Sequence, residues 1–256
     1  MITSIVLDWA GTTIDFGSMA PINALLMAFG AYGLTPTMEE TRAPMGLPKR
    51  EHIAKMLSAG RLGQQWRQQH GTDCREQDID RIYEKFEPAL FASLLLHAEL
   101  LPGVWKTVSE LRAMKIKIGS TTGYNRTMMD ILLPRARLNG YEPDALVCPE
   151  ETGGLGRPYP YMLWRNLELL GAMSVEQTIK VGDTAADIQE GKNAGCISVG
   201  IIKGSSMLGL SYDDFIRQDE TTLQQLYKTA RSRYRQAGAD YVLDSIEELP
   251  ELARSL

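Results

Sequence analysis

Cysteine is scarce in this chain of 256 residues: Cys74, Cys148 and Cys196 are all there is. The count is odd and no C-x-x-C pair occurs. That argues against a disulfide framework and against zinc, and it leaves free thiols as the expectation. No apolar run approaches the roughly 20 residues needed to cross a bilayer. The first residues pass directly into a strand pattern, without a basic leader or a small-residue cleavage site, so the cytoplasm is the expected location. An excess of basic residues is missing as well. Lys and Arg number 27 against 32 Asp and Glu, a net charge of −5, and that balance speaks against non-specific nucleic-acid binding. It leaves room for an anionic substrate held by a few local cations. What the chain does have is 44% hydrophobic residues, enough for a sizeable core in one large domain or two unequal ones.

Short apolar runs recur at 4–7, 116–120, 145–147, 179–182, 196–201 and 241–243. Their near-continuous apolar character suits strands buried on both faces. Helical patterns at 104–114, 160–170 and 187–194 alternate with them. The alternation predicts an α/β fold, a Rossmann-like doubly wound parallel sheet with its ligands at the C-terminal strand edges. One segment breaks the pattern. Between about residue 18 and residue 100 the stretches 19–32, 38–42, 49–57, 61–70 and 78–97 all read as helical, punctuated by Pro21, Pro36, Pro44 and Pro88. We expect an inserted all-helical cap domain over 18–99, a core made of 1–17 and 100–256, and hinges near 16–18 and 100–103. A cap above the strand edges would exclude water and add specificity residues. The polar stretch 221–237 reads as a solvated helix, and no repeat or low-complexity tract occurs.

Four turns at strand ends carry groups suited to phosphoryl chemistry. Asp8 follows the first strand and runs into Ala10-Gly11-Thr12, where glycine lets backbone N–H groups approach an anion. Thr122 and Gly123 follow the second strand. Arg157 stands before Pro158. Asp183 and Asp187 form a Gly-Asp-x-x-x-Asp turn that opens a helix. Each has a plainer use: a turn cap, a helix N-cap, a surface arginine, a helix start. A fifth group lies in the helical segment. Lys49 and His52, three apart after Pro44-Met45-Gly46, share one helix face. A lysine amine can condense with an aldehyde to an imine, and a histidine can shuttle the protons. A solvated cation is the plainer reading of Lys49.

Taken in order, the four turns resemble the motifs of the haloacid dehalogenase superfamily. Its phosphotransferases read Asp-x-Asp-x-Thr, and the second aspartate protonates an oxygen leaving group. Here Ala10 stands in that place. A carbon–phosphorus bond needs no such acid, because its leaving group is a carbanion that requires an electron sink. A protonated imine on Lys49 is such a sink. The combination closely resembles the phosphonoacetaldehyde hydrolase family, with Asp-Trp-Ala-Gly-Thr at 8–12, Pro-Met-Gly before Lys49 and His52, Ser-Thr-Thr-Gly-Tyr at 120–124, Gly-Arg-Pro-Tyr-Pro at 156–160 and Val-Gly-Asp-Thr at 181–184. Residues 204–206 and 208–210 resemble it too.

The resemblance implies Asp8 as nucleophile, Lys49 as the imine-forming amine and His52 as a proton carrier. It implies Gly11, Thr12, Met45, Thr122, Gly123, Tyr124 and Arg157 around a small phosphonate. It implies Mg²⁺ on Asp8, the Ala10 carbonyl and Asp183, with Thr184 and Asp187 behind them, and a homodimer joined through the caps, with neither nucleic acid nor membrane as partner. Ser18 departs from relatives that carry cysteine there, Pro48 from relatives with an aliphatic residue, and the residues after Leu249 are fewer than a longer final helix would need. Proline at 48 suits a first helical turn, so a normally placed Lys49 is expected. Two other readings stand: a superfamily phosphatase acting on a small phosphate monoester, and a non-catalytic phosphonate-binding protein. Ala10 counts against the first, and the intact carboxylates count against the second.

Overall fold

Six short strands, β1 (Ser4–Leu7), β2 (Lys117–Thr121), β3 (Ala145–Val147), β4 (Thr178–Gly182), β5 (Ile197–Ile201) and β6 (Tyr241–Leu243), form one sheet in the computed structural model, which describes residues 1–58 and 60–256. The order is β3-β2-β1-β4-β5-β6 and every pairing is parallel. All residues of β1 and β4 are buried, as their near-continuous apolar character suggested. The strands lie within a residue or two of the expected runs. Direction reverses between β1 and β4: the chain winds outward through β2 and β3 on one side, then through β5 and β6 on the other. That is the switch point at which a doubly wound sheet binds its ligand.

Five helices separate β1 from the rest of the sheet: α1 (Met19–Gly30), α2 (Met38–Arg42), α3 (Lys49–Leu57), α4 (Arg61–His70) and α5 (Glu76–Leu94). They form the cap. Helix α5 buries Ile79, Ile82, Phe86, Leu90 and Leu94, a three-to-four spacing that makes one apolar stripe. It packs on α1, which buries Leu25, Ala28 and Phe29. The same apolar cluster continues through Trp9 to Ile5 and Leu7 of β1, so cap and core share buried surface.

Local signals start these helices. Thr37 caps α2 in a reciprocal box with Glu40. The carboxylate of Asp15 accepts the Met19 and Ala20 N–H groups at 2.9 and 3.0 Å and so caps α1. Pro48 stands just before the first turn of α3 rather than within it, and its carbonyl accepts the His52 N–H.

The remaining helices cover the sheet: α6 (Val104–Ala113), α7 (Arg126–Leu138), α8 (Tyr161–Leu170), α9 (Ala185–Ala194), α10 (Tyr212–Arg217), α11 (Glu220–Gln236) and α12 (Leu249–Ser255). Among the described residues no helix is long and apolar enough to cross a membrane.

Candidate active site

In the sheet Leu7 pairs with Val181, so Asp8 and Asp183 leave adjacent strands side by side at the switch point. The Asp8 N–H donates to the Val181 carbonyl at 3.0 Å. Thr13 donates its hydroxyl to the Asp8 carbonyl at 3.0 Å, and Thr12 Oγ1 lies 3.5 Å from Asp8 Oδ2. Gly11 has φ +83°, and a Cβ there would stand 2.3 Å from Asp183 Oδ2. Only glycine lets the two loops meet.

Asp8, Ala10, Asp183 and Thr184 line a pocket above the strand ends, with Thr122, Gly123, Tyr124 and Arg157 from the other core turns. The helical segment supplies Met45, Gly46 and Lys49, and Ser18, at the N-cap of α1, completes the lining. Cap and core touch here: Gly46 has φ +91°, and a Cβ on it would stand 2.4 Å from Thr184 Oγ1. The pocket holds about 20 Å³, room for about one water. Of the expected site residues, Gly11, Thr12, His52 and Asp187 lie outside its lining. Gly46, not among the expected site residues, and Ser18, singled out only as a departure from relatives, also line it.

Behind the pocket lies a buried charge network. The Arg157 guanidinium sits 2.6 Å from Asp8 Oδ1, 3.0 Å from Asp187 Oδ1 and 3.0 Å from Glu190 Oε2. Lys180, in the middle of β4, is fully buried and lies 2.9 Å from Asp187 Oδ1 and 3.2 Å from Glu190 Oε2. The contacts to Asp187 Oδ1 are ion pairs by distance, and neither is aligned as a hydrogen bond. Thr121 is the hub: its hydroxyl donates to Glu190 and accepts from both cations. Sequence reasoning missed Lys180, Glu190 and Thr121. A lysine inside an otherwise apolar strand, and a glutamate one turn after Asp187, were the available signals. Asp187 also closes a capping box with Thr184 at the start of α9, its Oδ2 accepting the Thr184 hydroxyl at 2.5 Å.

Burial pushes the Lys49 ammonium down from 10.5 to about 8. Asp8 opposes that shift and Arg157 adds to it. The amine stands 5.4 Å above the centre of the Tyr124 ring, a cation–π distance.

His52 departs from expectation. The structure does not bring it to the pocket. Its ring is fully buried, and Nε2 donates to the Thr41 carbonyl at 2.8 Å. Nδ1 has no hydrogen-bond partner among the described residues. Burial first, then the Lys49 charge, pushes it down to about 3. A neutral, buried imidazole outside the pocket lining does not lower the Lys49 pKa by charge. The helical spacing was right, but the side chain turns into the cap.

Asp8, Asp183 and Asp187 offer carboxylate oxygens within 4.8 Å of one another, all buried. Burial, the Asp8 charge and the Asp187 charge hold Asp183 well above the usual carboxylate range. Its Oδ2 accepts only the Ser206 N–H at 2.7 Å and the Ser18 hydroxyl at 3.5 Å, and no cation pairs with it among the described residues. Asp187 is committed to Lys180 and Arg157. An oxygen-rich pocket with one uncompensated carboxylate fits a hard divalent cation. The lining position of Ala10 is compatible with its carbonyl completing the set.

The sheet, its switch-point aspartates and the helical cap define a haloacid dehalogenase-like hydrolase, and the model of that family matches residues 2–195. A phosphonoacetaldehyde hydrolase from Lysinibacillus sphaericus is 42% identical over 255 residues, which is 100% of this chain and 95% of the relative. One from Bacillus cytotoxicus is 41% identical over 251 residues, 98% of this chain and 95% of its own. Among solved structures, a phosphonoacetaldehyde hydrolase-like protein from Oleispira antarctica matches with a TM-score of 0.95 at 36% identity, covering 99% of this chain and 92% of that one. The chain belongs to the phosphonoacetaldehyde hydrolase family.

Proposed function

We propose that this hydrolase cleaves the carbon–phosphorus bond of phosphonoacetaldehyde to give acetaldehyde and phosphate. One observation carries the reading beyond family membership. A desolvated lysine amine and a nucleophilic carboxylate line the same water-sized pocket, and alanine stands where an acid would serve an oxygen leaving group.

The steps follow from those groups. Neutral Lys49 adds to the aldehyde, and with uptake of one proton from solvent the adduct expels water to leave a protonated imine. An Asp8 oxygen attacks phosphorus. The carbon–phosphorus pair moves into the imine, which becomes an enamine, and no proton is required at position 10. Protonation at carbon and hydrolysis release acetaldehyde and regenerate Lys49. Water then cleaves the aspartyl phosphate. Arg157 and the Thr122 hydroxyl stabilise charge on the phosphoryl oxygens, and the fixed donors need no reorganisation. Gly11 and Thr12 shape the phosphate loop, and Met45, Gly123 and Tyr124 confine the aldehyde end. Mg²⁺ held by Asp8, the Ala10 carbonyl and Asp183, with Thr184 and Asp187 behind, would neutralise phosphonate charge beside the nucleophile.

We further propose the division into a core of 1–17 and 100–256 and a cap of 18–99, supported by the bridge between Ile14 and Leu100 where the two crossings run together. Exposed Met27, Leu95 and Leu96 on the cap suit a homodimer contact there, which light scattering would test. The reading is tested by incubating the protein with phosphonoacetaldehyde and Mg²⁺ and measuring both products. Equal release of acetaldehyde and phosphate is expected. A strong preference for simple phosphate monoesters would transfer the assignment to a phosphatase.

A further inference from the structure

The pocket holds about 20 Å³, too little for a phosphonate, so substrate must reach it from a wider space. A groove of about 840 Å³ between cap and core shares two walls with it, Met45 and Thr184. The groove contains a cation with no assigned purpose. Arg42, at the end of α2, reaches across to the core segment that carries Gly209, where a Cβ would stand 3.1 Å from Arg42 Nη1. Among the described residues the only hydrogen bond of its guanidinium runs from Nη2 to Met19 Sδ at 3.6 Å, and Nε is buried without a partner. Among the described residues no carboxylate pairs with it. Burial alone lowers its pKa, with no opposing charge. A partly desolvated, unpaired guanidinium is costly, and such groups call for an explanation. The groove's other charges are Arg233 and Glu39, both exposed, so its balance is positive. A second groove, of about 430 Å³, shares only Met45 with the pocket, and its Arg61 is paired with Glu40 at 2.5 Å.

We propose that Arg42 is the cap's capture residue: its guanidinium meets the phosphonate dianion in the groove before the substrate passes Met45 and Thr184. This rests on the function proposed above. It also accounts for the close approach of the 208–210 segment, which resembles the family and which the chemistry itself does not use. Arginine presents a fork of donors suited to a phosphonyl group, and an unpaired cation in a cleft raises the encounter rate with an anion.

The test compares Arg42→Met, Arg42→Lys and Arg217→Met, the last an exposed arginine outside the groove that controls for net charge. In Arg42→Met, kcat/KM for phosphonoacetaldehyde should fall about tenfold while kcat stays near wild type. Its dependence on ionic strength should flatten, and Tm should not drop, since an unpaired charge is removed. Arg42→Lys should keep the salt dependence, and Arg217→Met should behave as wild type. Calorimetry with inorganic phosphate as probe should show weaker binding in Arg42→Met. Unchanged kcat/KM and salt dependence would overturn the proposal, and so would a joint loss of kcat and Tm, which marks a structural role. If wild type fails to cleave phosphonoacetaldehyde, the function above fails instead, and the phosphate titration alone decides whether Arg42 captures an oxyanion.

Discussion

Imine formation at Lys49 should follow the ionisation of a desolvated amine. Burial lowers its pKa from 10.5 to about 8. At pH 7 about one amine in ten is then neutral, against about one in three thousand for an unshifted lysine, a gain of about 300-fold or about 3 kcal/mol. The sign follows from the nucleophile being the neutral form. The rate of covalent trapping with cyanoborohydride in the presence of phosphonoacetaldehyde should rise about tenfold per pH unit below 8 and level off above it. Peptide mapping should place the label on Lys49. Lys49→Arg keeps the charge without a usable amine and should lose both trapping and turnover. His52, held neutral with its pKa near 3, should add no limb near pH 6.5. A rise that continues toward pH 10 would refute desolvation as the activating cause, and trapping in Lys49→Arg would refute the residue assignment.

Other consequences concern the metal, the missing acid and the misplaced histidine. Excess chelator should abolish turnover and Mg²⁺ restore it, while Asp183→Asn should require far more metal; full activity in chelator would remove Asp183 from that role. Ala10→Asp should not speed phosphonate cleavage and should slow it, because a further carboxylate beside Asp8 and Asp183 adds charge and desolvation; faster cleavage would contradict the carbanion argument. His52 is neutral when folded and protonates below pH 6.5 when unfolded, so the unfolded state binds more protons and stability falls with pH in that window. The loss is about 2 kcal/mol by pH 5, and His52→Gln, which retains a donor for the Thr41 carbonyl, should flatten the decline in denaturant titrations.

The sequence by itself determined the sheet, the insertion and most of the pocket. Strands buried on both faces are mostly apolar, so β1 and β4 were legible as runs despite Lys180, and Asp8 and Asp183 stood at their ends. Helical spacing marked α3 and α5, although α10 and α12, short and without a strong stripe, carried no clear signal. Which residues meet across elements was a matter for tertiary structure alone. Lys49 and His52 share a helical spacing, yet only packing decides that the lysine enters the pocket while the imidazole turns to the Thr41 carbonyl. Lys180 reads as a strand residue until β2, β4, α9 and the Arg157 turn converge to bury it between Asp187 and Glu190. Arg42 reads as a surface arginine until the cap lies against the 208–210 segment. Periodicity records what each element buries, because solvent exclusion acts residue by residue along the chain. Charge pairing and desolvation depend on distances between elements far apart in sequence, and those distances exist only once the chain has folded.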